Sequence, residues 1–146
     1  TGTENQFPGK TSLYNAIKKV ESGEVLTPRG RVGLLNEVEM EDLFIWYETN
    51  KNGLHPIVLA AEMHEQIGTI HPFIDGNGRT SRLVMNLILL QNGYVIANIK
   101  GDYDSRMKYY NALETAKTKN NKEDFLLFVA QNEKESLERY LEIIGQ

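Results

Sequence analysis

Between two stretches of helically spaced apolar residues, positions 71–82 read His-Pro-Phe-Ile-Asp-Gly-Asn-Gly-Arg-Thr-Ser-Arg. No other segment constrains the fold as much. Proline disfavours helical geometry in the residue before it, so the helix leading to Ile70 should stop near His71 and leave the imidazole at its end. Leu83, Val84, Leu87, Ile88 and Leu90 resume the helical spacing, so a second helix should begin near Gly78. Gly76 and Gly78 accept positive φ at little cost, which lets successive backbone N–H groups converge on an anion. The first turn of the second helix would aim more N–H groups at the same anion.

The side chains of this segment suit the handling of a nucleoside triphosphate. Histidine is the side-chain type suited to proton transfer near neutral pH, so His71 can take a proton from a hydroxyl. Asp75 is a hard oxygen ligand of the kind that holds magnesium together with phosphates and water. Arg79 and Arg82, three apart, share a helix face and can both fork onto phosphate oxygens. Phe73 is expected to bury its ring and anchor the loop.

The rest of the chain sets bounds. Its 146 residues suffice for one domain with a real core, and its net charge of −4 argues against a nucleic-acid partner. With no cysteine there can be no disulfide, thiolate zinc site or cysteine nucleophile, which fits a reducing, cytoplasmic setting. The longest apolar run, Leu83 to Leu90, is broken by Asn86 and is too short to span a bilayer. No targeting signal is visible, and a chain that opens at Thr1 rather than methionine reads as a piece of a longer protein.

Patterning predicts an all-α fold of about seven helices: Thr11–Ser22, Glu37–Thr49, Pro56–Ile70, the segment helix ending near Gly93, Tyr103–Lys117, Lys122–Gln131 and Glu133–Ile144. Residues 24–33 are turn-rich and 95–102 form a connector. Gly9-Lys10-Thr11-Ser12 imitates the end of a P-loop, but position 4 holds Glu where that motif needs glycine. His64 lies two helical turns, roughly 10 Å, from His71. That is too far to share a metal, so His64 reads as a packed or hydrogen-bonded histidine, and His55 as a helix-start residue.

Position for position, residues 71–82 resemble the motif His-Pro-Phe-x-(Asp/Glu)-Gly-Asn-Gly-Arg-x-x-Arg of the Fic-domain family. Leu54-His55-Pro56-Ile57, Ala60-Ala61, His64, Met85-Asn86-Leu87, Gly93-Tyr94, Tyr109-Tyr110 and Ser136 to Leu141 extend the similarity over about residues 20–145. The resemblance implies a single Fic domain over 1–146, mainly helical with a small β-hairpin flap. It also implies a protein adenylyltransferase that moves AMP from Mg-ATP to a Tyr, Thr or Ser hydroxyl of a target protein, the chain itself included. Transfer of another phosphate-containing group, or de-adenylylation at the same site, is the alternative.

By this resemblance His71 deprotonates the hydroxyl and Asp75 holds magnesium. Phe73, Gly76, Asn77, Gly78, Arg79 and Arg82 surround the phosphates, with Arg79 and Arg82 on the leaving pyrophosphate. Tyr109 and Tyr110 lie near the adenine, although Lys117 stands where relatives often carry asparagine. Arg31, Val32 and Gly33 fall in the flap that pairs with the target's backbone. Relatives also carry an inhibitory Ser/Thr-x-x-x-Glu-Gly/Asn helix. Glu4-Asn5 matches its last two positions, so residues 1–10 read either as the remnant of an N-terminal inhibitory segment, with Glu4 as its glutamate, or as a solvated polar terminus.

Overall fold

The computed structural model describes residues 36–145 and the backbone of 26–27 and 30–31. Among these residues there are one short hairpin and five helices. Strand β1 (Leu26–Thr27) pairs antiparallel with β2 (Gly30–Arg31), Leu26 opposite Arg31 and Thr27 opposite Gly30. Helices α1 (Glu37–Asn50), α2 (Pro56–Ile70), α3 (Asn77–Gln91), α4 (Tyr103–Lys119) and α5 (Glu123–Ile144) follow.

Helix α2 is the centre of the described structure, because α1, α3, α4 and α5 all pack against it. Its start is fixed locally. Pro56 takes the first helical position, where its missing N–H costs nothing. The Nδ1 atom of His55 accepts the Ile57 N–H at 3.1 Å, and its Nε2 lies 3.3 Å from the Tyr94 hydroxyl. His55 is therefore the helix-start residue that its position before Pro56 suggests. Leu59, Ala60, Ala61, Met63, His64, Glu65 and Ile67 are all buried, so little of the helix surface faces water. The small Ala60 and Ala61 side chains let neighbouring helices approach closely. Met40, Met85, Leu89, Phe125 and Val129 complete the core around it.

Helix α3 ends as its sequence implies. Gly93 has φ +83°, and the Tyr94 N–H returns to the Leu89 carbonyl at 2.9 Å, closing the last turn. The C-terminal half departs from expectation in one respect. Lys122–Gln131 and Glu133–Ile144 are one continuous helix, α5, of 22 residues. Asn132 does not break it, because its Nδ2 donates to the Phe128 carbonyl one turn back and the backbone stays helical. Phe125, Val129 and Glu133 meanwhile keep one face buried at four-residue spacing. The described helices thus number five rather than about seven, and the predicted helix Thr11–Ser22 lies outside the described residues. The all-α reading holds.

Between α3 and α4 the chain has no regular structure, and side chains take up its backbone donors. The Val95 N–H donates to Glu133 Oε1 at 3.0 Å and the Ala97 N–H to Asn86 Oδ1 at 3.0 Å. Glu133 is fully buried, and its Oε2 has no hydrogen-bond partner. Burial pushes its carboxyl above the usual glutamate range, partly offset by the Val95 N–H. The folded chain therefore binds this proton more tightly than the unfolded one, and the carboxyl costs stability as pH rises above about 4.5. Glu133→Gln keeps the acceptor and does not ionise. It should gain stability relative to the parent as pH goes from 4.5 to 8 in urea titrations; a pH-independent difference would contradict the assignment.

Candidate active site

The loop between α2 and α3 spans six residues, and its shape follows from three local features. The first is His71, which ends α2 in the left-handed region (φ 57°, ψ 58°) while its N–H still bonds to the Ile67 carbonyl at 2.9 Å. That conformation costs a non-glycine residue about 1–2 kcal/mol and persists only where the surroundings impose it. Its neighbours do so here. Pro72 is fully buried, Phe73 packs against the core, and Asn36 Nδ2 holds the Ile70 carbonyl at 2.6 Å. The His71 side chain is left exposed at the end of a buried helix.

The second feature is Asn77. Its Oδ1 accepts the Phe73 N–H at 2.9 Å and its Nδ2 donates to the Phe73 carbonyl at 2.7 Å. Only 6% exposed, this side chain braces the loop through both ends of its amide. The signal was present in the sequence: Asn readily bonds to backbone a few residues away.

The third is the glycine pair, whose members act differently. Gly76 precedes α3 with φ +86°, a conformation that other residues enter at a cost. Gly78 is helical, so it does not help form a nest through positive φ. It matters because the Arg82 side chain folds back over it: a Cβ there would stand 3.2 Å from Arg82 Nη1. The first-turn N–H groups of α3 remain the backbone donors of the site.

Asp75 is exposed, with Oδ1 accepting the Gly76 N–H at 2.8 Å. No three His, Cys, Asp or Glu side chains cluster into an all-protein metal cage among the described residues. A lone accessible carboxylate beside an anion-binding helix start still fits magnesium, which characteristically takes its remaining ligands from phosphates and water. Arg79 is exposed on the first turn of α3 and Arg82 is half-buried one turn on. Neither makes an ion pair with another described residue.

Arg82 leads to a connection that sequence inspection missed. Its Nη1 donates to the Tyr109 hydroxyl at 3.5 Å, and that hydroxyl lies 2.8 Å from His64 Nε2. These residues come from α3, α4 and α2, so no local spacing relates them. Tyr109 is 4% exposed, its ring packed against Phe125 and Phe128. Its hydroxyl is held above the usual tyrosine range, chiefly by burial, with Arg82 opposing. Tyr110 is 51% exposed and remains available to stack. Burial, then the Arg82 charge, lowers the His64 imidazole to about 4. Arg31 lies in β2, while Val32, Gly33 and Glu4 fall outside the described residues.

This pairing of a buried helix with a Gly-Asn-Gly turn and a second helix defines an all-α fold of the Fic kind. The Fic/DOC family model matches residues 32–89. The chain is 32% identical over 132 residues to "Protein adenylyltransferase fic-1" of Caenorhabditis briggsae, covering 84% of this chain and 25% of that protein. It is 41% identical over 92 residues to "Protein adenylyltransferase Fic" of Drosophila persimilis, covering 63% and 18% respectively. The solved structure "Fic-1 (aa134 - 508) from C. elegans" superposes with a TM-score of 0.69 at 28% identity, over 83% of this chain and 34% of that one. The chain belongs to the Fic/DOC family. It spans a quarter or less of the length of these two curated relatives.

Two outcomes test this geometry. Asn77→Ala should cost about 1–3 kcal/mol by leaving the Phe73 groups unpaired, read by urea denaturation, with faster amide exchange at Phe73. The His64 imidazole stays neutral in the folded chain, whereas in the unfolded chain it protonates near its ordinary 6.5. Its contribution to stability should therefore be complete above pH 6.5 and fall as acid approaches pH 4, by on the order of 3 kcal/mol. His64→Gln should flatten that slope in the same titration.

Proposed function

We propose that this chain transfers AMP from Mg-ATP to a side-chain hydroxyl of a target protein, with release of pyrophosphate. The observation that carries the reading is the exposed His71 at the end of α2, joined through one short braced loop to the start of α3 with Arg79 and Arg82. The protein names of the relatives, adenylyltransferases, support the same chemistry.

His71 takes the proton of the incoming hydroxyl. The hydroxyl oxygen then forms a bond to the α-phosphorus as the bond from that phosphorus to the β-bridging oxygen breaks. Arg79 and Arg82, with the first-turn N–H groups of α3, meet the negative charge that gathers on the departing pyrophosphate. Asp75 is the residue to hold magnesium, which when bound neutralises phosphate charge. Phe73 and Asn77 keep the loop in register. Tyr110 rather than Tyr109 is the aromatic left to contact adenine. The hairpin strand bearing Arg31 offers backbone groups to which a target segment can add as a strand. On this reading residues 1–146 serve as one Fic domain, acting on another protein or on itself.

Incubation with α- or γ-labelled ATP tests the reaction. Label should remain on protein from the α position only; γ-label on protein would instead mean phosphoryl transfer. His71→Ala should lower the rate by on the order of 10²–10⁴, and an unchanged rate would remove His71 as the base.

A further inference from the structure

We propose that His64 and Tyr109 are positioning residues that aim the Arg82 guanidinium at the triphosphate, an inference that rests on the adenylyl-transfer reading. Three helices contribute one side chain each: His64 from α2, Tyr109 from α4 and Arg82 from α3. Arginine is a donor only, so the Tyr109 oxygen must accept from it. The single hydroxyl proton then goes to His64 Nε2, 2.8 Å away, which requires a neutral imidazole carrying its proton on Nδ1. The relay therefore has one direction, from Arg82 through Tyr109 to His64.

The surroundings hold it in place. His64 and Tyr109 are 1% and 4% exposed, and the His64 ring packs against Phe125 at 4.8 Å and edge-on to Tyr109 at 5.6 Å. An apolar side chain would serve packing better than His64, whose Nδ1 is buried without a hydrogen-bond partner. The same Nη1 that reaches Tyr109 also lies close over Gly78, where there is no Cβ to displace it. Arg82 Nη1 is thus held between the Gly78 backbone and a buried hydroxyl. Its remaining N–H groups are pre-aimed, and preorganised donors do most for charge that gathers during a reaction. A protonated His64 would instead donate to Tyr109 and compete with Arg82 for the same oxygen; burial and the Arg82 charge both oppose that state.

The test is the affinity for Mg-ATP, measured calorimetrically in a His71→Ala background so that no turnover intervenes. Tyr109→Phe, which keeps the packing, and His64→Leu should each weaken binding by roughly 10-fold. His64→Gln, which restores an acceptor near the Nε2 position, should recover most of that loss. In an Arg82→Ala background Tyr109→Phe should change nothing further. Equal losses with and without Arg82 would overturn the relay and leave both residues as core packing. Label transfer by the parent chain is read separately. Coupled binding without transfer keeps the relay and removes the adenylyl-transfer reading; transfer with uncoupled losses does the reverse. Failure of the parent chain to bind Mg-ATP would overturn both.

Discussion

The amide of Asn77 meets both backbone groups of Phe73, and this two-bond bracket closes the loop on which the site depends. Without it, the six residues between α2 and α3 would have few fixed interactions of their own. With it, the end of one helix and the start of the next occupy a single defined geometry. Ser81, fully buried one turn further on, donates to the Asn77 carbonyl at 2.8 Å and extends the brace into α3. The left-handed His71 is the cost of this closure. Its conformation holds because Pro72 and Phe73 are already tied down on the far side. Strain of this kind, at an exposed residue of reactive type, is what a site that presents one side chain requires.

The bracket is useful because α2 is rigid. A helix surrounded by four others cannot shift without disturbing the whole core, so a residue at its end inherits the stability of the interior. The same central position explains why polar groups on α2 pair across long sequence distances. His64 reaches Tyr109, and Glu62 and Glu65 both meet Lys122 at the start of α5, Glu65 at 3.7 Å. Buried polar groups are stabilised by partners, and on a central helix many of those partners come from other elements. The exposed His71 at the end of α2 and the polar contacts along its buried length are two results of one packing arrangement.

Much of the architecture could be read from residue order. Pro56, the His71-Pro72 break, Gly93 and the apolar spacing bracket α2 and α3 because each acts within one helical turn. The C-terminal half was less legible. Asn132 resembles a terminator by type but bonds back to its own helix, and the buried face of α5 carries the backbone through. Within the motif, His71, Asp75, Arg79 and Arg82 are accessible or partly so, as side chains meeting an outside ligand must be. The internal partners of Asn77 and Tyr109 and the helical backbone of Gly78 were not legible, because residue type states what a group can bond to, and not which partner will reach it first.

The chain alone therefore determined where most helices start and stop, that one short segment gathers an imidazole, a carboxylate and two guanidinium groups, and that the fold is helical. Those properties follow from short-range sterics, glycine and proline geometry, and side-chain chemistry. Only the folded structure decided that α2 is enclosed, that Asn77 braces the loop, and that Tyr109 turns inward between Arg82 and His64. These depend on side chains far apart in sequence, His64 and Tyr109 by 45 positions, being brought together by burial of apolar surface, and no local pattern encodes that partnership.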